Sequence, residues 1–175
     1  MKYEKRAKDY ITEGLFQLME RKDYHNITIT DITKRAGVNR VTFYRNFNSR
    51  EEVIKNYLEN AFKDWGKQWE DSGDADLVYQ VFKFFNEQKR VIDLLYKADL
   101  QHFLAQHILI ACGYKKEDEN VIAYTKSMFA YAIFGMCNEW YLRGMVEDPE
   151  MISKLVKAHQ EKEKAIEELN KQNKK

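Results

Sequence analysis

One stretch, Thr28–Phe47, constrains the fold of this 175-residue chain more than any other feature. Thr28 precedes an apolar-periodic segment, and the acidic Asp31 follows it by three positions, which is the spacing of a reciprocal helix N-cap. Gly37 can adopt the left-handed backbone that ends a helix within one residue. Asn39 is a candidate cap for a second helix. The stretch therefore predicts two short helices joined at a glycine.

The second of these helices has too many polar groups for a segment that only stabilises a core. Phe43 and Phe47 are apolar, whereas most positions in 39–46 carry long or hydrogen-bonding side chains. Base edges and phosphates in a DNA major groove both require such groups. The pattern predicts a helix-turn-helix whose second helix enters the major groove.

Eight residues in and around these helices are predicted to contact DNA. Arg40 can bind guanine through two hydrogen bonds or can contact a phosphate, and the sequence leaves both roles open. Thr42 fits a phosphate or a thymine methyl, while Asn39 has capping alone as its alternative role. Thr28 and Thr30 begin a helix, where backbone N–H groups face phosphate readily. The predicted set is Thr28, Thr30, Asn39, Arg40, Thr42, Tyr44, Arg45 and Arg50. The last two are predicted to contact the DNA backbone or to be solvated charges.

Charge and composition agree with a small nucleic-acid-binding head on a larger body. The chain holds 1 Pro and 7 Gly, which favours long helices over many turns. Residues 1–60 contain 12 Lys/Arg and 9 Asp/Glu, a net charge of +3, whereas residues 61–150 contain 10 and 15, a net charge of −5. The basic part of the chain is the part that contains the helix pair, as expected for a DNA-binding head. A net charge of +3 over sixty residues is also common in proteins that do not bind DNA.

No segment predicts a membrane, metal or cofactor role. No apolar run is long enough to cross a bilayer, and the N-terminus leads into a charged helix rather than an apolar signal sequence. We therefore predict a cytoplasmic protein with no membrane partner. Cys112 and Cys137 lie in apolar surroundings, which is typical of buried thiols rather than of a disulfide or a metal site.

The rest of the chain has helical periodicity. Ser49 and Glu52 have capping-box spacing, and the helix that they start, 49–71, is apolar along one face over its whole length. We predict an all-α fold with two domains. A three-helix DNA-binding head with the helix-turn-helix covers 1–48, and a helical-bundle regulatory and dimerisation domain covers 49–175, with helix 49–71 connecting the two.

Aromatic residues of the second domain are candidates for a ligand pocket, although core packing is the usual role of aromatics at helical spacing. His107 is a polar group among them. The candidate pocket residues are Phe82, Phe85, Tyr96, Phe103, His107, Tyr124, Phe129, Tyr131 and Trp140. The segment 118–144 is apolar on nearly all sides, which predicts burial against the body and against a partner.

Four segments of the first third of the chain resemble the DNA-binding domain of TetR-family bacterial transcriptional regulators. They are residues 27–32, 36–38, 42–47 and 49–52, which read ITITDI, AGV, TFYRNF and SREE. The C-terminal residues 134–150 are similar to the subgroup of that family that includes activators of dihydroxyacetone kinase operons.

The resemblance implies a symmetric dimer on double-stranded DNA. Two copies of the recognition helix enter successive major grooves of a palindromic operator. Tyr44 either anchors a phosphate through its hydroxyl or packs against the protein. The body encloses a small-molecule effector whose binding releases the DNA, and the last two long helices pair in the dimer. The implied dimer residues are Met128, Ala132, Gly135, Met136, Ile152, Leu155, Val156 and His159. Val41 stands where many members have glycine, so a branched side chain limits how closely this backbone approaches DNA.

Two regulatory hypotheses remain open, and an enzyme is disfavoured. The first is a homodimeric repressor released by a small molecule. The second is a regulator or activator without such a ligand, controlled by a partner protein. No glycine-rich phosphate loop, His/Cys cluster or Ser-His-Asp set supports catalysis, and Glu117, Asp118 and Glu119 sit at a helix start, where the dipole accounts for them.

Overall fold

The computed structural model describes residues 2–73 and 75–172, with side chains for 6–73, 75–159 and 162. Within that part of the chain every regular element is a helix, so the predicted all-α fold is confirmed. The elements are α1 (Lys2–Met19), a 3₁₀ turn (Tyr24–Asn26), α2 (Ile29–Ala36), α3 (Arg40–Asn46), α4 (Arg50–Ser72), α5 (Leu77–Glu87), α6 (Lys89–Lys97), α7 (His102–Ala111), α8 (Asn120–Leu142) and α9 (Pro149–Gln172).

Helices α1, α2 and α3 pack around one small core, which we call the head. Ile11 and Leu15 of α1, Ile32 of α2 and Phe43 of α3 are all fully buried in it. At the crossing of α1 and α2, Gly14 lies so close to Ala36 that an added Cβ would sit 3.2 Å from its backbone nitrogen. The absence of a side chain at Gly14 therefore sets how closely α2 approaches α1.

The predicted caps of α2 and α3 are present. The Thr28 hydroxyl accepts from the Asp31 N–H, and the Asp31 carboxylate accepts from the Thr28 N–H, at 3.1 and 2.9 Å. Gly37 has a φ of 67°, which a residue with a side chain rarely adopts, and it ends α2. Asn39 accepts from the Thr42 N–H at 2.7 Å and begins α3.

Helix α4 starts with a variation on the predicted capping box. The Ser49 hydroxyl accepts from the Glu52 N–H as predicted, at 3.2 Å. The Glu52 carboxylate, however, accepts from the Asn48 N–H at 2.6 Å, one residue before the cap. The reciprocal bond is thus shifted, because the side chain reaches the preceding backbone and also the Asn48 amide.

The same helix carries the core from the head into the body, by which we mean α5–α9 and the second half of α4. Val53 and Ile54 are fully buried near its start, and Phe62 and Trp65 are buried further along. The buried residues of head and body form one continuous apolar cluster. Helix α4 therefore belongs to the apolar core of both head and body.

A second connection joins head and body at the surface. The Arg90 guanidinium on α6 donates to Glu13 at 3.0 and 3.2 Å and to Glu20 at 2.7 Å, and both carboxylates belong to α1. This charge-assisted bonding lowers the pKa of Glu13. Beside it, the Tyr57 hydroxyl of α4 donates to Gln88 at 2.6 Å. The head is thus held to the body by polar contacts as well as by α4.

The body has a filled aromatic core. Phe82 and Phe85 of α5, Phe103 of α7 and Trp140 of α8 are all buried, with the Phe82 and Trp140 rings 5.1 Å apart. Cys137 is fully buried beside them and Cys112 is half-buried, and both are free thiols. Burial raises the pKa of both thiols, as expected for structural cysteines.

Helix α8 buries only one of its faces, with Ala130, Ile133, Cys137 and Trp140. Large apolar side chains on the rest of its surface are exposed, including Val121, Tyr124, Met128 and Leu142 at 64–74%. The all-round burial predicted for this segment is therefore incomplete within one chain. No helix in the described part of the chain is long and apolar enough to cross a membrane.

Candidate nucleic-acid interface

The exposed side of α3 is the most distinctive surface of the head. Phe43 is fully buried, which fixes the opposite side of the helix outward. That outward side carries Arg40, Val41, Tyr44 and Arg45. Val41 and Tyr44 are 67% and 48% exposed. Since α3 is held by its buried ring and by caps at both ends, these side chains are presented on a rigid helix.

Three of these side chains have their polar groups available. Arg40, Tyr44 and Arg45 make no side-chain hydrogen bond and no ion pair with any residue that the structure describes. The Tyr44 ring meets Phe43 edge-on at 5.6 Å, which orients the hydroxyl outward. Two guanidinium groups and a phenol without protein partners on one short helix are what a phosphate-rich surface would satisfy.

Asn39 and Thr42 have local roles in addition to any contact with DNA. The Asn39 side-chain oxygen is occupied by the Thr42 N–H. The Asn46 amide donates to the Thr42 carbonyl at 2.7 Å and closes the end of the helix. Thr42 is half-buried, so its hydroxyl lies at the edge of the exposed side.

The start of α2 lies beside this surface. The Thr28 hydroxyl donates to the Asp31 carboxylate at 2.9 Å, so it serves the cap, whereas Thr30 is exposed. Lys22 forms an ion pair with Asp31 at 2.9 Å, and together with the Thr28 bonds it holds the pKa of Asp31 well below its usual range. Asp31 is therefore ionised at neutral pH, and Lys22 offsets its charge near the proposed DNA surface.

Arg50, which was predicted to contact DNA or to be a solvated charge, is engaged in contacts within the head. Its guanidinium donates to the carbonyls of Tyr24 and Ile27 at 2.7 Å each and to that of His25 at 3.2 Å. It also lies over the Tyr24 ring at 4.4 Å and pairs with Glu51. The physical reason is that a turn this short bonds few of its own carbonyls, and the neighbouring guanidinium donates to those of His25 and Ile27 and adds a second bond to that of Tyr24.

Comparisons with known proteins agree with this geometry. Residues 11–57, which run from the second half of α1 to the first third of α4, match the family described as bacterial regulatory proteins, tetR family. Over 81% of its length the chain is 26% identical to IcaR of Staphylococcus epidermidis, a biofilm operon icaADBC negative transcriptional regulator, and it covers 89% of that protein.

Two further relatives cover less of their own length. The chain is 27% identical over 57% of its length to DhaS of Lactococcus lactis, a dhaKLM operon transcriptional activator, and this match covers 47% of DhaS. It is 36% identical over 44 residues to YxbF of Bacillus subtilis, an uncharacterized HTH-type transcriptional regulator, covering 12% of that protein.

The chain belongs to the TetR family of bacterial regulatory proteins. It is a DNA-binding transcriptional regulator and not an enzyme, because its relatives are regulators and the helix-turn-helix lies within the matched residues.

The body of this TetR-family regulator places most of the predicted pocket residues elsewhere. Phe82, Phe85, Phe103 and Trp140 fill the core instead of lining a cavity. The Tyr96 hydroxyl donates to Asn138, its ring stacks on another tyrosine, and burial raises its pKa to about 12. Three further candidates, on α8, are exposed to solvent: Tyr124, Phe129 and Tyr131. Sequence periodicity could not separate these outcomes, because all are aromatics in amphipathic helices.

His107 does line a groove, which lies between α4 and α7. The groove has a volume of about 620 Å³. The His107 ring stacks on Phe62 at 5.1 Å, and the rings of Trp65 and Trp69 stack at 5.4 Å. Gly66 leaves open space in its wall. The size and the aromatic lining are those of a small-molecule site.

A larger and more polar cleft of about 1040 Å³ separates the head from the body. Asp9 and Glu13 of α1, Asp64 of α4 and Glu87 of α5 line it, together with Arg90. Its polar walls fit bound water better than an apolar ligand.

The predicted dimer residues fall into two groups. Met136, Ile152 and Val156 are half-buried against the body. The exposed members are Met128, Ala132, Gly135, Leu155 and His159. Exposed apolar residues also lie elsewhere on α8, at the positions named above, and on α9 at Met151, which is 53% exposed. We call these exposed residues the α8–α9 face.

Proposed function

We propose that this regulator is a homodimeric repressor that binds a palindromic operator in the bacterial cytoplasm and is released by a small-molecule effector. The observation that carries the DNA-binding role is the rigid, outward side of α3 with three unpaired hydrogen-bonding side chains. The proposal of repression rests on IcaR, a negative regulator that matches most of the chain. DhaS, an activator, matches a smaller part.

The domain division follows the same proposal. The head, 1–48, holds the DNA surface, and 49–175 holds the effector groove and the α8–α9 face. In the head, Arg40, Tyr44 and Arg45 contact DNA directly. Thr28, Thr30, Asn39 and Thr42 support or flank these contacts.

Selection of bound fragments from random DNA tests the DNA-binding proposal. We expect palindromic fragments whose half-sites lie about 34 Å apart or a multiple of that distance, as for other two-fold helix-turn-helix proteins. Arg40→Ala weakens binding by roughly 1–3 kcal/mol if it reads a base. The proposal is wrong if no fragment is enriched, or if the double variant Arg40→Ala/Tyr44→Phe keeps full affinity.

The dimer proposal rests on the α8–α9 face. Several large apolar side chains exposed on the same two helices favour an interaction site. A second copy is its proposed occupant, because a palindromic operator requires two heads in fixed relation. Met128→Lys, which places a charge in this face, is expected to yield monomers in sedimentation, whereas Gln106→Lys on the exposed side of α7 serves as the control.

The groove between α4 and α7 is the proposed effector site. Since α4 also carries the head core, a ligand wedged against Trp65 and Trp69 changes the tilt of the helix that positions α3. The environment-sensitive dye N-phenyl-1-naphthylamine is a suitable probe. We expect its fluorescence to rise when the original protein is added, and to rise equally with Gly66→Ala. With Gly66→Phe the rise should be smaller, because the phenylalanine ring occupies the groove.

A second candidate function is regulation without a small molecule, through a partner protein. The filled aromatic core of the body favours it, because Phe82, Phe85, Phe103 and Trp140, which were predicted to line an effector pocket, are all buried and line neither the groove nor the cleft described above. If Gly66→Phe leaves both dye binding and regulation in cells unchanged, the partner-controlled mechanism is the better account.

A further inference from the structure

Val41 is an apolar side chain exposed in the middle of a polar surface. It is 67% exposed, while the next aromatic along the helix, Phe43, is fully buried. Exposing a valine on a short helix in place of a polar residue gains nothing for the stability of the head, since burial is what makes apolar side chains stabilising. Its exposure leaves it available for a contact outside the chain.

The helix geometry places Val41 at the centre of the outward side. With about 100° per residue, Arg40, Tyr44, Val41 and Arg45 point along about 0°, 40°, 100° and 140° around the α3 axis. The two arginines thus occupy the edges of this sector. Tyr44 and Val41 lie between them. Phe43 points along about 300°, on the opposite side, in agreement with its complete burial.

A helix oriented this way in a major groove brings its edges to the groove walls and its centre to the base edges. Arginines at the edges are well placed for phosphates. Valine has no donor or acceptor, so the one feature of a base edge that it complements is the C5-methyl group of thymine. Its branched side chain is also restricted to one main rotamer in a helix, so it presents its methyl groups in a fixed position.

We propose that Val41 is a specificity-determining residue that selects thymine by contacting its C5-methyl group in each operator half-site. This inference rests on the proposed DNA-binding function and adds to it the base class that is read. It also accounts for Val41 in physical terms: the methyl contact replaces the close backbone approach that a glycine at this position would allow.

Replacing thymine by uracil, which lacks only the C5-methyl, tests the inference on the full-length protein and the selected operator. We expect one symmetric pair of thymine positions at which uracil weakens binding about fourfold per half-site, the factor for one buried methyl group. Val41→Ala should bind the thymine and uracil operators equally. Val146→Ala, the same change at a valine that is 80% exposed between α8 and α9, should discriminate between them as the original protein does.

The possible failures are separable. If no fragment is selected at all, the proposed function fails before this inference is reached. If a specific operator is selected but no thymine position responds to uracil, or if Val41→Ala still discriminates between uracil and thymine, the inference is overturned while DNA binding stands. Thermal melting serves as the control for folding. Val41→Ala should melt at the same temperature as the original protein, because an exposed valine contributes little to the core.

Discussion

Head and body each place a glycine inside a helix, and the two glycines have opposite surroundings. At Gly14 a side chain would collide with Ala36 of the neighbouring helix, whereas at Gly66 it would enter open space. The first glycine closes the packing of the head, and the second leaves the wall of a groove. The packing at Gly14 is thus closed, whereas Gly66 leaves open space beside the helix that links head and body.

Gly14→Val is the strongest way to break this comparison. The added side chain meets backbone atoms of Ala36, which cannot rotate away, so we expect the free energy of unfolding to fall by about 3 kcal/mol. Gly66→Val is the matched control, expected to stay within about 0.5 kcal/mol, because nothing lies in its way. If urea denaturation gave the same loss in the free energy of unfolding for both substitutions, the close packing at Gly14 would not contribute to stability.

The contrast between two arginines at the ends of the same loop sharpens the description of the head. Arg50→Met removes a cation that satisfies three carbonyls, and we expect a loss of about 2 kcal/mol in the free energy of unfolding. Arg45→Met, on the exposed side of α3, should leave stability within about 0.5 kcal/mol but weaken operator binding. The assignment of Arg50 to the scaffold fails if its variant melts like the original protein and loses only DNA affinity.

The surface contact between head and body is expected to contribute less. Arg90, Glu13 and Glu20 are about half-exposed, so solvent screens their interaction. Arg90→Gln should lower the free energy of unfolding by under about 1 kcal/mol, and the difference should shrink at high salt. Lys83→Gln, which removes a cation from the longer Lys83–Glu87 pair within α5, is the control. A much larger effect of Arg90→Gln would mean that head and body behave as one rigid unit.

The smallest expected effect concerns the pH dependence of the head. Lys22 and Thr28 lower the pKa of Asp31 in the folded state. The ionised carboxylate therefore stabilises the head at neutral pH, and this stabilisation is lost as the pH falls through the folded-state pKa. Asp31→Asn should melt earlier than the original protein at pH 7, with a difference that narrows on acidification. Asp64→Asn, an exposed change on α4, should not show this narrowing.

Much of the head could be predicted from the sequence, because its caps act within a few residues. Thr28 and Asp31 are three positions apart, and Gly37 ends the helix through its own backbone. Such contacts form wherever the segment becomes helical, so the pattern predicts them directly. The helix-turn-helix and the exposed positions of Arg40, Tyr44 and Arg45 follow from the same local pattern. Val41 was not among the predicted contacts because it is apolar. A count of helix angles from Phe43 would have placed it outward.

The body was less predictable, because its outcome depends on contacts between distant segments. Phe82 and Tyr124 are both aromatics at helical spacing, yet one is buried at 1% exposure and the other is 69% exposed. Periodicity shows that a helix has an apolar face, but it does not show which neighbour covers that face. For the same reason, periodicity did not separate the buried aromatics among the predicted pocket residues from the exposed ones.

The sequence by itself determined the all-α fold, the two short helices and their caps, and the family to which the chain belongs. Only the tertiary structure decided that Arg50 serves the 3₁₀ turn, that Arg90 reaches Glu13 across 77 positions, and that α8 leaves an apolar face uncovered. The physical reason is range. Caps and helical periodicity act within one or two turns, whereas a side chain's burial is set by whichever helix the complete fold packs against it.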